Sequence, residues 1–147
     1  MKENVKIFLV ALIIGMTVAF FLSFKFQDEV VFAINPKVTI FYVGTYNDIE
    51  VANKKSESYD NSLIYEDNGV YKIVIGVYHD DSALLLMNSY FRDLGISFYQ
   101  EEIKVDTTFL KEISNYELLI KESENSYYDN INTSILELFK EYLGKNN

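Results

Sequence analysis

The side chains that could carry out chemistry in this chain of 147 residues are few. The single histidine, His79, precedes Asp80 and Asp81, and a histidine beside a carboxylate can serve as a general base. A loop histidine is more often a surface residue, and the two aspartates are explained more simply as a helix start, where carboxylates interact favourably with the helix dipole. No serine lies in a nucleophile-elbow sequence. We therefore expect a protein that is not an enzyme.

The sequence contains no pattern typical of a site for a metal ion, a phosphate-containing cofactor or a nucleic acid. The chain has no cysteine, and it lacks the spacings of HExxH zinc sites and EF-hand calcium loops. Its six glycines are scattered and form no phosphate-binding loop. A net charge of -9 also disfavours binding to a phosphate backbone. We expect no metal, no cofactor and no nucleic-acid partner.

The twelve tyrosines offer a different chemistry, because an aromatic ring can stack on the apolar face of a sugar. The candidates for such a platform are Tyr42, Tyr65, Tyr99, Tyr127 and Tyr128. The alternative is that these residues fill half-buried positions of an ordinary core. The sequence leaves both interpretations open.

The N-terminal part of the chain predicts a membrane anchor. Residues 7–24 contain no charge, and the predicted span continues past Lys25, which can snorkel to the interface, to residue 26. This length is enough for one transmembrane helix. A cleaved signal peptide and a buried core helix are the alternatives, but the apolar run is longer than a typical signal sequence. Lys2 and Lys6 before the span favour a cytoplasmic tail at residues 1–6. Residues 27–36 then form a linker, and the rest of this single-pass protein is extracytoplasmic in the cell envelope.

The middle of the chain predicts an α+β domain over residues 37–105. Alternating and β-branched residues indicate four strands, at Val38–Gly44, Asn61–Glu66, Val70–Gly76 and Ile96–Val105. Aspartate caps indicate one helix from Asp48 to about Ser58 and another from Asp80 or Asp81 to Leu94. The resulting order, β-α-β-β-α-β, is the split βαβ or ferredoxin-like arrangement, in which both helices cover one sheet face.

Residues 106–147 predict a tail of two helices. Apolar residues recur at helical spacing in both, at Phe109, Ile113, Tyr116 and Ile120, and then at Ile131, Ile135, Leu138 or Phe139, and Tyr142. Because an isolated helix pair cannot bury both stripes, we expect the tail to dock onto the sheet or onto a partner.

A weak internal repeat supports the two-part organisation of the domain. Val43-Gly44-Thr45-Tyr46 ends the first predicted strand, and Ile75-Gly76-Val77-Tyr78 ends the third, 32 residues later. Each glycine permits a tight bend, and the tyrosine two residues on can fold back into the core.

These motifs resemble those of the SPOR domain, the sporulation-related repeat of bacterial envelope proteins. Tyr42-Val43-Gly44-Thr45-Tyr46 stands against the family pattern Gln-Val-Gly-Ser-Phe, and the segment from Tyr71 to Tyr78 stands against Tyr-Arg-Val-Arg-Val-Gly-Pro-Phe. Ala52 and Ala83 stand where the family has helix alanines. The layout of anchor, single domain and helical tail is similar to that of stage II sporulation proteins of the B type.

The resemblance implies binding to peptidoglycan glycan strands during cell division or sporulation, without catalysis, on the sheet face away from the helices. Tyr42 occupies the family's glutamine position, and Lys72 and Val74 occupy the positions of its arginines. Strand alternation places Ile40 on the same face, which makes these four the candidate glycan-binding residues.

That candidate face is more apolar than glycan binding requires. Two explanations remain: the tail helices cover the face as part of the core, or the face binds an envelope protein through an apolar patch. We favour coverage by the tail. The glycan site would then be lost or moved to an edge, which leaves a protein–protein interaction module as the alternative function.

Overall fold

The computed structural model describes residues 36–146. The predicted cytoplasmic tail, the predicted transmembrane helix at 7–26 and the linker as far as residue 35 lie outside the described residues. Within the described part, no helix combines the length and apolar character needed to cross a bilayer. The sheet and the tail belong to one compact unit that begins at Lys37.

The described chain is an α+β protein built on a four-stranded antiparallel sheet, which confirms the predicted fold class at this level. The strands are β1 (Lys37–Tyr46), β2 (Leu63–Asp67), β3 (Val70–Tyr78) and β4 (Tyr99–Lys104). Their order across the sheet is β2-β3-β1-β4, so the long strands β1 and β3 are central and the short ones form the edges. This order and the chain order β-α-β-β-α-β are those of the split βαβ arrangement.

The sequence Asp67-Asn68-Gly69 between β2 and β3 is typical of a tight turn between strands. Asn68 has φ +53° and Gly69 has φ +79°, which is the backbone of a tight turn with two positive φ values. Asp67 and Val70 pair directly across it. The turn therefore fixes the register of this hairpin.

The two domain helices are α1 (Ile49–Ser56) and α2 (Asp81–Asp93). Asp48 caps α1, where its Oδ1 accepts from the Glu50 amide at 2.7 Å. Asp80 caps α2, where its Oδ1 accepts from the Ser82 amide at 3.0 Å. Both predicted cap residues thus do what aspartate does at a helix start.

The face of the sheet that carries Phe41 packs against α2. The Phe41 ring lies 5.9 Å from the Phe91 ring and stacks on Phe98 at 4.9 Å. Phe98 was predicted to lie in β4, but Gly95 ends the helix region with φ +74°, and β4 begins at Tyr99. The segment before Tyr99 is used to bring the Phe98 ring under the sheet.

β1 and β3 both run two residues beyond their predicted ends, to the tyrosines of the repeat. The pairing of these strands is irregular between Phe41 and Tyr42 and between Tyr42 and Thr45. In each repeat the tyrosine ring lies over the glycine two residues before it: a Cβ on Gly76 would be 2.6 Å from the Tyr78 ring, and one on Gly44 would be 2.7 Å from the Tyr46 hydroxyl. The two repeats therefore share one local geometry, although Tyr78 is fully buried and Tyr46 is half-buried.

The tail consists of α3 (Thr107–Glu122), a single 3-10 turn (Asn125–Tyr127) and α4 (Tyr128–Asn146). It packs on the other face of the sheet. Tyr65 and Lys72 are cross-strand partners, so their side chains share a face, and the Tyr65 ring lies 6.0 Å from Phe139 of α4. Phe139 in turn contacts Phe109 of α3. The sequence predicted that the tail would dock either onto the sheet or onto a partner, and in the structure it docks onto the sheet.

Two buried polar residues join the tail to β3. The Asn132 side-chain amide donates to the Ile75 carbonyl at 2.8 Å, and its oxygen accepts from the Tyr78 hydroxyl. The Glu117 carboxylate accepts from the backbone amides of His79 and Asp80. These bonds satisfy backbone groups where β3 ends and α2 begins.

Candidate functional site

The four predicted glycan-binding residues have different surroundings. Ile40 and Val74 are fully buried on the face that carries the tail. Lys72 is also buried, whereas Tyr42 is half-buried. The structure thus places Ile40 and Val74 in the core and brings the Lys72 ammonium beside the Tyr42 ring, at an accessible region of the sheet. The glycan-binding role of the four remains a prediction.

The accessible region contains a pair of stacked tyrosines. Tyr42 of β1 and Tyr99 of β4 are register partners, and their ring centroids lie 5.5 Å apart at an interplanar angle of 30°. Tyr99 is 65% exposed. The antiparallel pairing of the two strands therefore holds an aromatic surface open to solvent at one end of the sheet.

A charged group lies beside the tyrosine pair, centred on Lys72. The Lys72 Nζ lies 2.9 Å from Asp67 Oδ2 and 2.7 Å from Glu101 Oε2, and it is 5.7 Å from the Tyr42 ring centroid, within the range of a cation–π contact. Burial alone would lower the pKa of Lys72, but the hydrogen bonds to Glu101 and Asp67 outweigh it and the pKa is raised. Lys72 is therefore a fixed cation.

We call this group the sheet corner, defined by one or two residues from each strand: Asp67 (β2), Lys72 (β3), Tyr42 (β1), Tyr99 and Glu101 (β4). The two carboxylate side chains are 32% and 37% exposed. An exposed ring can stack on the apolar face of a pyranose, and carboxylates beside it can accept hydrogen bonds from hydroxyl or amine groups. Among residues 36–146, no group of acidic or histidine side chains could hold a metal ion.

The other tyrosines proposed for a stacking platform are dispersed. Tyr65 packs on Phe139, Tyr128 is buried against Tyr90, and Tyr127 is 57% exposed on the 3-10 turn. The contact between Tyr42 and Tyr99 is the part of the proposed platform that the fold assembles.

His79 is not the solvated loop residue that its sequence context suggests. It is half-buried, and its Nδ1 lies 2.9 Å from the Lys37 carbonyl oxygen, to which a protonated Nδ1 donates. Its backbone amide donates to Glu117. His79 thus links the end of β3 to Lys37 at the start of β1 and to Glu117 of the tail.

Sequence reasoning missed Asp67 and Glu101 as members of the site. Glu101 lies inside the fourth predicted strand and Asp67 directly after the second, and neither was among the candidate residues. Alternation along the fourth predicted strand offered one signal, because it puts Glu101 on the same face as Tyr99. In the structure, Glu101 pairs with Ile40 and shares its face as well. The sequence did not give the order of the strands in the sheet. That order places Asp67 of β2 and Glu101 of β4 within reach of Lys72 of β3.

Comparison with known proteins gives a partial match to a solved structure. No family model matches the chain, and no curated protein matches it. The chain is similar to the solution structure of the peptidoglycan binding domain of the B. subtilis cell wall lytic enzyme CwlC, with 14% identity over 46% of this chain and 90% of that domain, at a TM-score of 0.36. A TM-score of this size does not establish a common fold or a common ligand.

Proposed function

We propose that this protein is a membrane-anchored, SPOR-like envelope protein that binds peptidoglycan glycan strands through the sheet corner and catalyses no reaction. Its N-terminus would be cytoplasmic, and the domain would act outside the membrane in cell division or sporulation. The observation that carries the proposal is the stacked Tyr42–Tyr99 pair, held at the solvent beside the charges of Asp67, Lys72 and Glu101.

The geometry supports a sugar ligand for two reasons. The Tyr99 ring stacks on the Tyr42 ring, and this contact limits its movement before a ligand binds. Binding a sugar on Tyr99 would therefore cost little further side-chain entropy. The adjacent carboxylates are accessible hydrogen-bond acceptors that could orient hydroxyl groups. The corner lies on the face where the SPOR resemblance expects the ligand, at the end that retains accessible side chains.

A retention assay on cell-wall sacculi tests this function. The full chain in neutral detergent is sedimented with sacculi whose stem peptides an amidase has removed, and the bound fraction is measured. We expect Tyr99→Ala to weaken retention about tenfold, which corresponds to about 1.4 kcal/mol. Tyr127→Ala is the matched control, because that tyrosine has similar exposure and lies outside the corner. Equal retention of the two variants would contradict the proposed site.

The proposed topology has its own test. A phosphatase that is active only outside the cytoplasm is fused to the C-terminus, and a fluorescent protein that matures in the cytoplasm serves as the reciprocal reporter. We expect activity from the phosphatase fusion. Activity from the cytoplasmic reporter alone would overturn the orientation derived from Lys2 and Lys6.

A protein–protein interaction module is the second candidate function. The burial of Ile40 and Val74 beneath the tail favours it, because half of the predicted glycan-binding residues cannot reach a ligand in this arrangement. Wild-type protein that is not retained by amidase-treated sacculi would favour this candidate over glycan binding.

A further inference from the structure

The charges of the sheet corner are unbalanced. Of its five residues, two are carboxylates and one is a cation, and both carboxylates contact the same Lys72 Nζ. The Lys72 side chain is only 9% exposed, so its charge is committed to Asp67 and Glu101 and is shielded from a ligand. A ligand at the tyrosine pair therefore meets a surface with a net negative charge.

Glu101 has acceptor capacity to spare. Its Oε2 bonds Lys72, while within residues 36–146 no hydrogen bond reaches its Oε1. On the β2 side, Asp67 Oδ1 already accepts from the Asn68 side chain at 2.7 Å. The open acceptor is thus on β4, the same strand that carries the exposed Tyr99 ring.

Tyr99 and Glu101 are placed to act on one sugar unit. They are two residues apart on β4, so their side chains share a face and are separated by about 7 Å along the strand. A pyranose stacked on Tyr99 would have its ring substituents within reach of the Glu101 carboxylate. The charges of the corner also act on the nearby Tyr65 hydroxyl. Burial raises the pKa of Tyr65 most, and the negative charges of Asp67 and Glu101 raise it further, while Lys72 lowers it.

We propose that the sheet corner selects glycan whose amino sugars carry a free, protonated amine over glycan that is N-acetylated. This inference rests on the proposed glycan-binding function and names its substrate class. An acetamido group is neutral, whereas an ammonium forms a charge-assisted hydrogen bond with a carboxylate. At a partly exposed carboxylate, that difference corresponds to a preference of roughly fivefold.

The test compares chitosan and chitin oligosaccharides of equal length, which differ in N-acetylation. Affinities for the full chain in neutral detergent are measured by calorimetry at pH 6, where a sugar amine is protonated. We expect chitosan to bind roughly fivefold more tightly than chitin. Glu101→Gln should bring the two affinities close to each other, mainly by weakening chitosan binding, because a neutral amide forms no charge-assisted hydrogen bond with the ammonium.

Glu102→Gln is the matched control for long-range attraction between a polycation and an acidic protein. Glu102 is adjacent on β4 and pairs with Lys37 at 2.9 Å, and its side chain lies on the opposite face. The two variants therefore change the net charge equally. A similar loss of chitosan binding in both would show that overall acidity causes the preference and would overturn the inference.

The remaining outcomes separate the inference from the function on which it rests. Equal binding of chitin and chitosan, weakened equally by Tyr99→Ala, would overturn the selectivity and leave glycan binding intact. Binding of neither sugar would overturn both. A lysine-containing stem peptide carries an ammonium without a sugar ring, and its binding in preference to chitosan would also overturn the inference.

Discussion

At the scale of single residues, Glu117 shows how the fold uses a buried charge. One carboxylate oxygen accepts two backbone hydrogen bonds, from His79 and Asp80, while Oε2 is buried and has no hydrogen-bond partner among the described residues. Burial raises the pKa of Glu117, and the two amide bonds lower it only in part. The neutral form is thereby favoured relative to an exposed glutamate.

The raised pKa of Glu117 predicts a pH-dependent stability. The folded state binds this proton more tightly than the unfolded state, so its contribution is complete below the unfolded pKa and is lost as pH rises through the folded pKa. Glu117→Gln keeps an acceptor for the two amides and has no proton to lose. We expect the free energy of unfolding of the variant, relative to wild type, to improve as pH rises from 4 to 8, measured by urea denaturation.

Glu112→Gln provides the comparison for this measurement, because Glu112 is an exposed carboxylate on the same helix. It makes the same change of charge on the same helix, so the difference between the two variants isolates the effect of burying the Glu117 carboxylate. A Glu117→Gln difference with the same pH dependence as that of Glu112→Gln would show that Glu117 titrates in the folded protein as it does in the unfolded chain.

At the scale of elements, the ends of β1 and β3 depend on the two Gly-x-Tyr segments. A Cβ at Gly76 would lie 2.6 Å from the Tyr78 ring, which is fully buried and bonded to Asn132. A Cβ at Gly44 would meet the hydroxyl end of Tyr46, a half-buried ring that can move outward. The two equivalent positions should therefore tolerate a methyl group to different extents.

We predict that Gly76→Ala lowers the free energy of unfolding by about 1–3 kcal/mol, the usual cost of overpacking, and that Gly44→Ala lowers it less. Gly144→Ala in α4 has no neighbour within 4 Å and should be neutral or stabilising by roughly 0.5–1 kcal/mol, because alanine is the better helix former. Chemical denaturation of the three variants gives the comparison. A larger cost at Gly44 than at Gly76 would refute the role of the buried ring.

Sequence reasoning recovered the elements better than their assembly. The caps Asp48 and Asp80 and the Asn68-Gly69 turn are local signals, and the structure uses all of them. The irregular pairing of β1 with β3 and the stacking of Phe98 on Phe41 involve residues far apart in the chain, and no local pattern encodes them. Of the five residues of the sheet corner, the sequence analysis names Tyr42, Lys72 and Tyr99, each on a predicted strand. Asp67 and Glu101 come together with them only through the strand order.

At the scale of the whole molecule, the tail is part of the core. Phe139 is fully buried and contacts Tyr65 of the sheet, Phe109 of α3 and Tyr142 of its own helix. The apolar face left by the four-stranded sheet is thus sealed by the last helix of the chain. The sheet and the tail should unfold together.

We predict a single cooperative unfolding transition for this unit, with coincident curves by circular dichroism and tyrosine fluorescence. Phe139→Ala should lower the free energy of unfolding by about 3–5 kcal/mol and shift the whole transition without splitting it. Tyr127→Ala, at an exposed ring, should leave the midpoint unchanged. Two separate transitions, with Phe139→Ala affecting one of them, would mean that the tail folds independently.

The contact of Asn132 with β3 has a consequence for the behaviour of the protein in a crowded cell. The pairing of β2 with β3 ends at Leu63 and Val74, so β3 continues past its neighbour with an outer rim of backbone groups. Such a rim is a template for other chains and a route to aggregation. Asn132 occupies the Ile75 carbonyl on this rim, and α4 follows it. We therefore expect the Asn132 amide to hinder the addition of another strand at this carbonyl.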